Sequence, residues 1–188
     1  MNIIVKTYND KICFRPDTTW KERDDAAYLP EFVNSVSAAP VLFIRIRKAG
    51  RSVSAKFADR YYDAVGYGMF LYPDDLLQDG PEGFACASCM DHTTFISYPL
   101  KETSVLGTEG FGLRICKDGE ELFCCPSPSA VKVEESIELA SSHCYLRTGD
   151  FLAVELGPLQ RLCTRDEGEC QVVGYSGGSL SFDFKIVF

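Results

Sequence analysis

The chain has little of what would place it on nucleic acid or in a membrane. Basic residues are the minority, 19 Lys and Arg against 27 Asp and Glu, leaving a net charge of −8 and a pI near 4.8. A surface built to neutralise phosphates needs the opposite sign, so no nucleic-acid partner is expected. Basic residues cluster only briefly, at Arg45, Arg47, Lys48 and Arg51, where a solvated strand edge beside Gly50 accounts for them. No apolar run approaches the roughly 18–20 residues that cross a bilayer, so no membrane partner is expected. The first residues lack a basic region followed by an apolar stretch, which argues against an export signal. Internal repeats and low-complexity tracts are missing as well.

What remains is an ordinary globular balance. At 188 residues, with 46% apolar and 24% charged residues, residues 1–188 read as a single domain able to bury a sizeable core. Nine cysteines without an export signal read as reduced thiols, and the expected compartment is cytoplasmic.

The patterning predicts a strand-rich chain with two helices. Residues 2–8 and 11–14 can pair as a hairpin about Asn9-Asp10. Residues 20–28 are polar and acidic, a loop or short surface helix. A buried strand is expected over 41–47. Ser54 can then cap a helix with Phe57, Ala58, Tyr61 and Val65 on one face, broken by Gly66 and Gly68 before a further strand. Residues 74–84 read as a turn-rich loop. Asp118-Gly119 is the clearest hairpin signal, joining strands at 113–116 and 121–124. An amphipathic helix over 133–142 turns Val133, Ile137 and Ala140 inward. Strands at 151–155, 169–175 and 180–188 finish the chain, the last alternating Phe182, Phe184, Ile186 and Phe188 on one face.

Local constellations are each weighed against a plainer reading. Cys86-Ala87-Ser88-Cys89 with His92 has the spacing to begin a tetrahedral zinc site, with Cys124 or Cys125 as a fourth ligand. Adjacent cysteines project to opposite sides of a strand and no second Cys-x-x-Cys exists, so buried inert thiols are expected for all nine. Gly174-Tyr175-Ser176-Gly177-Gly178 matches Gly-x-Ser-x-Gly. A nucleophile elbow needs a following helix and a downstream His, whereas a strand is expected there and His92 and His143 lie upstream. A Gly-rich hairpin turn is the better reading. Asp74-Asp75, after Pro73, reads as a solvated turn.

The stretch 29–76 carries a scarcity of its own, with Glu31 the only carboxylate between Tyr28 and Arg45. Its frame of Arg45, Ile46, Gly50, Phe57, Ala58, Arg60, Tyr61, Tyr62, Asp63, Ala64, Val65, Gly68, Asp75 and Leu76 resembles, without a gap, the metal-binding segment of the fumarylacetoacetate hydrolase family. That family cuts or rearranges carbon–carbon bonds in 2-oxo acids. The resemblance implies a mixed α+β fold, mainly β, with a rolled mixed β-sheet core and two short helices. It also implies Mg²⁺ or Mn²⁺ as the family's cofactor. The family's His-x-Glu-x-Glu falls on Ser37, Ala39 and Val41, and its third ligand, an Asp, on Phe70. Hard cations of this kind need oxygen ligands in near-octahedral geometry, and Ala, Val and Phe offer none. Without the metal nothing polarises the 2-oxo group or carries the enolate charge.

Further positions agree. The family's Lys-x-Phe-Asp resembles Ser88-Cys89-Met90-Asp91, which keeps Asp91 and replaces the Lys by Ser88. Leu146-Arg147-Thr148-Gly149-Asp150 resembles its Leu-x-x-Gly-Asp turn, while Val154-Glu155-Leu156-Gly157 stands where Thr-Gly-Thr-Pro would follow. Pro16-Asp17-Thr18 resembles its Pro-Asp-Thr turn, leaving residues 1–28 as a shortened N-terminal hairpin and lid remnant.

The expectation is a degenerate relative with no catalytic residue, no metal and no cofactor at these positions. It would serve as a binding, assembly or regulatory subunit, in a homodimer or in a heterodimer with an active paralogue. One alternative is an active hydrolase, isomerase or decarboxylase on a small 2-oxo or dicarboxylic acid, its site rebuilt from Ser88, Cys89, Asp91 and His92. The other is a 2-oxo acid sensor without turnover, for which Arg15 is the candidate anchor.

Overall fold

The computed structural model describes residues 1–20 and 26–188. The chain opens with the expected hairpin, β1 (Asn2–Lys6) and β2 (Ile12–Pro16), turned at Asp10 with φ of 58°. Of the 20–28 stretch, residues 21–25 lie outside the described residues, and Ala26–Tyr28 forms a strand, β3, rather than loop or helix. Then come β4 (Ser35–Ile46) and β5 (Tyr62–Pro73), two long strands paired along their whole length. The helices α1 (Asp74–Leu77) and α2 (Gly80–Cys89) follow, and after them the short strands β6 (Thr94–Ile96) and β7 (Lys101–Glu102). A hairpin, β8 (Leu113–Lys117) and β9 (Glu120–Cys125), turns at Asp118-Gly119 and leads to α3 (Ala130–His143). The chain ends with β10 (Phe151–Glu155), β11 (Gln160–Thr164), β12 (Cys170–Ser176) and β13 (Ser179–Val187).

The architecture is mixed α+β and mainly β. One sheet runs β2-β1-β10-β4-β5-β6, with β11 also on β4 and β7 also on β5; β1 and β10 are parallel and the other pairs antiparallel. The second runs β3-β13-β12-β8-β9. The main core lies between them: Leu42, Ile44, Tyr67 and Met69 meet Ile115, Val172, Phe184 and Ile186, and α3 adds Val133, Ile137 and Ala140. β4 is buried on both faces, so its other side needs a cover as well. There Ala39, Val41, Phe43, Phe70, Tyr72, Ile3, Val5 and Phe151 form a second cluster, capped by Ala87 and Phe84 of α2 and by Trp20.

Several elements depart from their sequence reading for local reasons. Residues 55–60 form a 3₁₀ helix, with Ser54 in an extended conformation at its start but making no side-chain cap bond. Val65, placed on that helix by its spacing, instead belongs to β5. Gly66 and Gly68 do not end a helix; they lie inside β5 so that neighbours can approach. A Cβ on Gly68 would sit 1.9 Å from the Phe95 carbonyl oxygen and 2.7 Å from the Phe43 ring. The strand expected over 41–47 begins earlier, at Ser35, and passes through Pro40. Proline is tolerated there because β4 changes neighbour at that point, from β11 at Ala38 to β10 at Val41. Residues 74–84, read as a loop, are largely helical in α1 and α2, with Pro81 in the first turn of α2. β11 had no counterpart among the expected strands. Arg45 and Arg47 are exposed, but β4 is an interior strand and Arg45 donates from Nε to Asp63 at 2.8 Å.

Candidate functional site

The family ligand positions can be located from strand register alone. Ala39 on β4 is the direct cross-strand partner of Phe70 on β5, and Val41 stands two residues on, hence on the same face. Ser37 and Tyr72 form the next pair along that face. The fold therefore brings Ser37, Ala39, Val41 and Phe70 together beneath α2, and the last three are completely buried. Phe70 packs edge-on to Phe43 at 5.5 Å, and Tyr72 stacks on Phe84 at 5.7 Å, so the face is filled by rings.

A fixed cation occupies this face. Arg15 arrives from β2 and is 1% exposed. Its Cζ lies 4.3 Å from the Phe70 centroid and 4.5 Å from that of Tyr72. Nη1 donates to Thr93 O at 2.9 Å and Thr94 Oγ1 at 3.0 Å, and Nη2 donates to Leu71 O at 2.7 Å. Thr94 is itself steadied by Thr19 Oγ1 at 2.8 Å. Nε has no partner, and among the described residues no carboxylate pairs with the guanidinium directly. Burial lowers its pKa, opposed by the nearby Tyr72, Glu155 and Cys13.

Among the described residues, register places the carboxylate of Glu155 on the same face, opposite Val41. Its Oε1 accepts from the Tyr72 hydroxyl at 2.8 Å and its Oε2 from Tyr8 N at 2.9 Å. Desolvation raises its pKa, against the pull of those two donors and of Arg15. The same dry surroundings push the Tyr72 phenol well up and the Cys13 thiol to about 11. Asp74 is not the solvated turn residue expected. It begins α1 and accepts from Ser37 Oγ at 2.6 Å, while Arg161 Nε lies 3.6 Å from its other oxygen, an ion-pair distance too long for a hydrogen bond. Asp75 accepts from Asn34 N at 2.7 Å and from its side-chain amide at 2.8 Å, and the Asn34 side chain leads the causes that lower its pKa.

The residues considered for a zinc site do not converge as metal ligands among the described residues, and those considered for a rebuilt site differ in exposure. Ser88 is 2% exposed with its hydroxyl unpartnered, whereas Cys86, Cys89 and Asp91 face solvent and His92 sits in a tight turn at φ of 58°. Cys124 also faces solvent, so burial does not hold for all nine thiols. Among the described residues no three His, Cys, Asp or Glu side chains converge as metal ligands. Gly177 and Gly178 form a two-residue turn at φ of 58° and 78° between β12 and β13, which disposes of the nucleophile elbow. Asp150, in the Leu-x-x-Gly-Asp turn, accepts from Asn2 N at 2.8 Å and Arg147 N at 2.9 Å and acts as a brace. A cleft of about 400 Å³ opens on the opposite side of β4, floored by Leu42, Val133 and Val154, with Lys6, Lys132 and Glu135 on its rim.

Mg²⁺ or Mn²⁺ does not fit the family positions. Two methyl-bearing side chains and a ring offer no oxygen, Arg15 brings a positive charge to the same face, and Glu155 is committed to Tyr72 and Tyr8. Sequence reasoning named Arg15, but as a ligand anchor. Tyr72 was legible as the residue two beyond Phe70. Glu155 was not, because only strand pairing places it opposite Val41.

No family model matches the chain, and no curated protein matches its sequence. Solved structures do. A fumarylpyruvate hydrolase from Pseudomonas aeruginosa, determined with Mn²⁺ and pyruvate, superposes with a TM-score of 0.76 at 14% identity, covering 100% of this chain and 90% of that one. A maleylpyruvate hydrolase from Sphingobium gives 0.76 at 14% identity over 99% and 70%. A 5-carboxymethyl-2-hydroxymuconate delta-isomerase from Mycobacterium smegmatis gives 0.75 at 15% over 99% and 78%. The fold is that of the fumarylacetoacetate hydrolase-like proteins.

Proposed function

We propose that this chain is a fumarylacetoacetate hydrolase relative in which the divalent-metal site has become a second hydrophobic core, and that it works by binding and assembly. The observation that carries the reading is Arg15. A guanidinium held between the rings of Phe70 and Tyr72, its Nη donors bound by three protein oxygens, puts a permanent charge where a metal would need carboxylates. The old face is then filled by rings and by a guanidinium whose Nε is its one unpartnered donor. It offers no electrophile for a 2-oxo group. The sensor reading loses its anchor for the same reason, since Arg15 is fully buried and already bonded.

The subunit acts in this reading as a dimer with itself or with a metal-bearing relative. The test is a thermal melt with Mg²⁺ or Mn²⁺, alone and with oxalate as an enolate mimic. A ligand at about a hundred times its Kd adds about 2.7 kcal/mol and would move the midpoint by about 5–10 °C. No shift is expected. A shift of that size with metal plus oxalate would overturn the reading. Light scattering across a dilution series checks the assembly, and a monomer at every concentration would confine it to a heteromeric partner.

A further inference from the structure

The basic segment at the end of β4 is not spread along the surface. Tyr61 O accepts from Arg47 N at 2.8 Å, Gly50 pairs with Leu146, and Gly149 N donates to Ile46 O at 2.8 Å. These contacts gather Arg47, Lys48, Arg51, Lys56, Arg60 and Arg147 at one end of the molecule, all exposed. Residues 45–63 hold six cations and two carboxylates in a chain whose net charge is −8.

Arg47, Lys48, Arg51, Lys56, Arg60 and Arg147 have no ion-pair partner among the described residues, although cations elsewhere do, as in Arg45–Asp63, Lys6–Asp10, Lys117–Glu167 and Lys185–Glu169. Three of them lie over ring faces. Lys48 Nζ is 5.0 Å from the Tyr61 centroid, and Lys56 Nζ and Arg60 Cζ are 5.6 and 5.4 Å from that of Phe57. A cation on an aromatic face keeps its donors available and has already lost part of its rotamer freedom. Phe57 remains 46% exposed. The carboxylates bordering the patch are the exposed Asp59, Asp63 on Arg45, Glu134, and Glu138, which accepts from Ala55 N at 3.2 Å.

We propose that this end of the molecule is a docking surface for a carboxylate-rich segment of a partner protein. The rest of the chain is acidic, so an anionic segment is repelled everywhere else and steered here. A short segment fits better than nucleic acid, because a phosphate backbone running beyond the patch would meet Asp59, Asp63, Glu134 and Glu138. The inference does not rest on the loss of the metal positions.

The test measures binding of a short, fluorescein-labelled polyglutamate peptide to the full chain by anisotropy, in about 50 mM salt and then in rising salt. Three variants accompany it: Arg47→Glu/Lys48→Glu/Arg51→Glu, the milder Arg47→Gln/Lys48→Gln/Arg51→Gln, and the charge-matched control Lys11→Glu/Lys101→Glu/Lys132→Glu. Binding that weakens about tenfold or more in the first, less in the second, and under about threefold in the control is expected, with affinity falling as salt rises. The glutamine variant decides the matter if charge reversal impairs folding. Equal losses in patch and control variants would overturn the proposal. So would no binding by the unmodified chain, or tighter binding of an oligonucleotide of equal charge.

Discussion

Arg15 shows how one side chain can tie several elements together, joining β2 to the backbone of Leu71 and Thr93 and to the rings of Phe70 and Tyr72. Its removal as Arg15→Ala would leave the Leu71 carbonyl without its Arg15 donor, Thr93 O with Leu71 N alone, and Phe70 and Tyr72 facing a void. A loss of about 3–5 kcal/mol is expected in urea unfolding. Arg15→Lys should recover little of it, since an ammonium lacks the planar fork that reaches those oxygens while resting against both rings. Glu155 supplies a pH signature. Its folded-state pKa is raised by burial above the unfolded value, so the folded state holds the proton more tightly. The stability this confers is present below the ordinary glutamate range and lost as pH rises through the raised pKa. Glu155→Gln mimics the protonated form, so the difference in midpoint between variant and unmodified chain should move in the variant's favour as pH increases from acid towards neutral. A difference independent of pH would show that the Glu155 carboxyl has the same pKa folded and unfolded.

Among the elements, β5 carries the most demanding geometry. Gly68 has no room for a Cβ, because the β6 backbone lies against it. Gly68→Ala should cost about 3 kcal/mol or more, measured by urea unfolding, whereas Gly119→Ala at an open turn with φ of 88° should cost about 1 kcal/mol. The elements that could be read from sequence are those whose local pattern and tertiary role agree. The β1–β2 and β8–β9 hairpins have turn residues that accept positive φ, at Asp10 and at Asp118-Gly119. α3 buries Val133, Ile137 and Ala140 at helical spacing. Where two roles compete, the pattern misleads. Gly66 and Gly68 look like breakers but permit close packing, and the turn-like residues of 74–84 are helical because α1 and α2 must cover Phe70 and Tyr72.

At the scale of the molecule, the two sheets share a single buried cluster that runs from Leu42 and Met69 across to Val172 and Ile186, and α3 packs into it. One cooperative transition is therefore expected. The fluorescence of Trp20, which sits on the outer face of the larger sheet against Phe151 and Tyr98, should change at the same urea concentration as far-UV circular dichroism. Separate midpoints would mean that the two sheets unfold independently.

Residue identity by itself determined that Ala39, Val41 and Phe70 offer no side-chain oxygen to a hard cation, whatever the fold. It also determined the hairpins and the inward face of α3, whose signals are local. Only the tertiary structure decided that those three positions meet on one face, that Arg15 fills it, and that Glu155 stands opposite Val41. Contacts between residues scores of positions apart depend on strand register and on which element covers which face, and neither leaves a trace in local spacing.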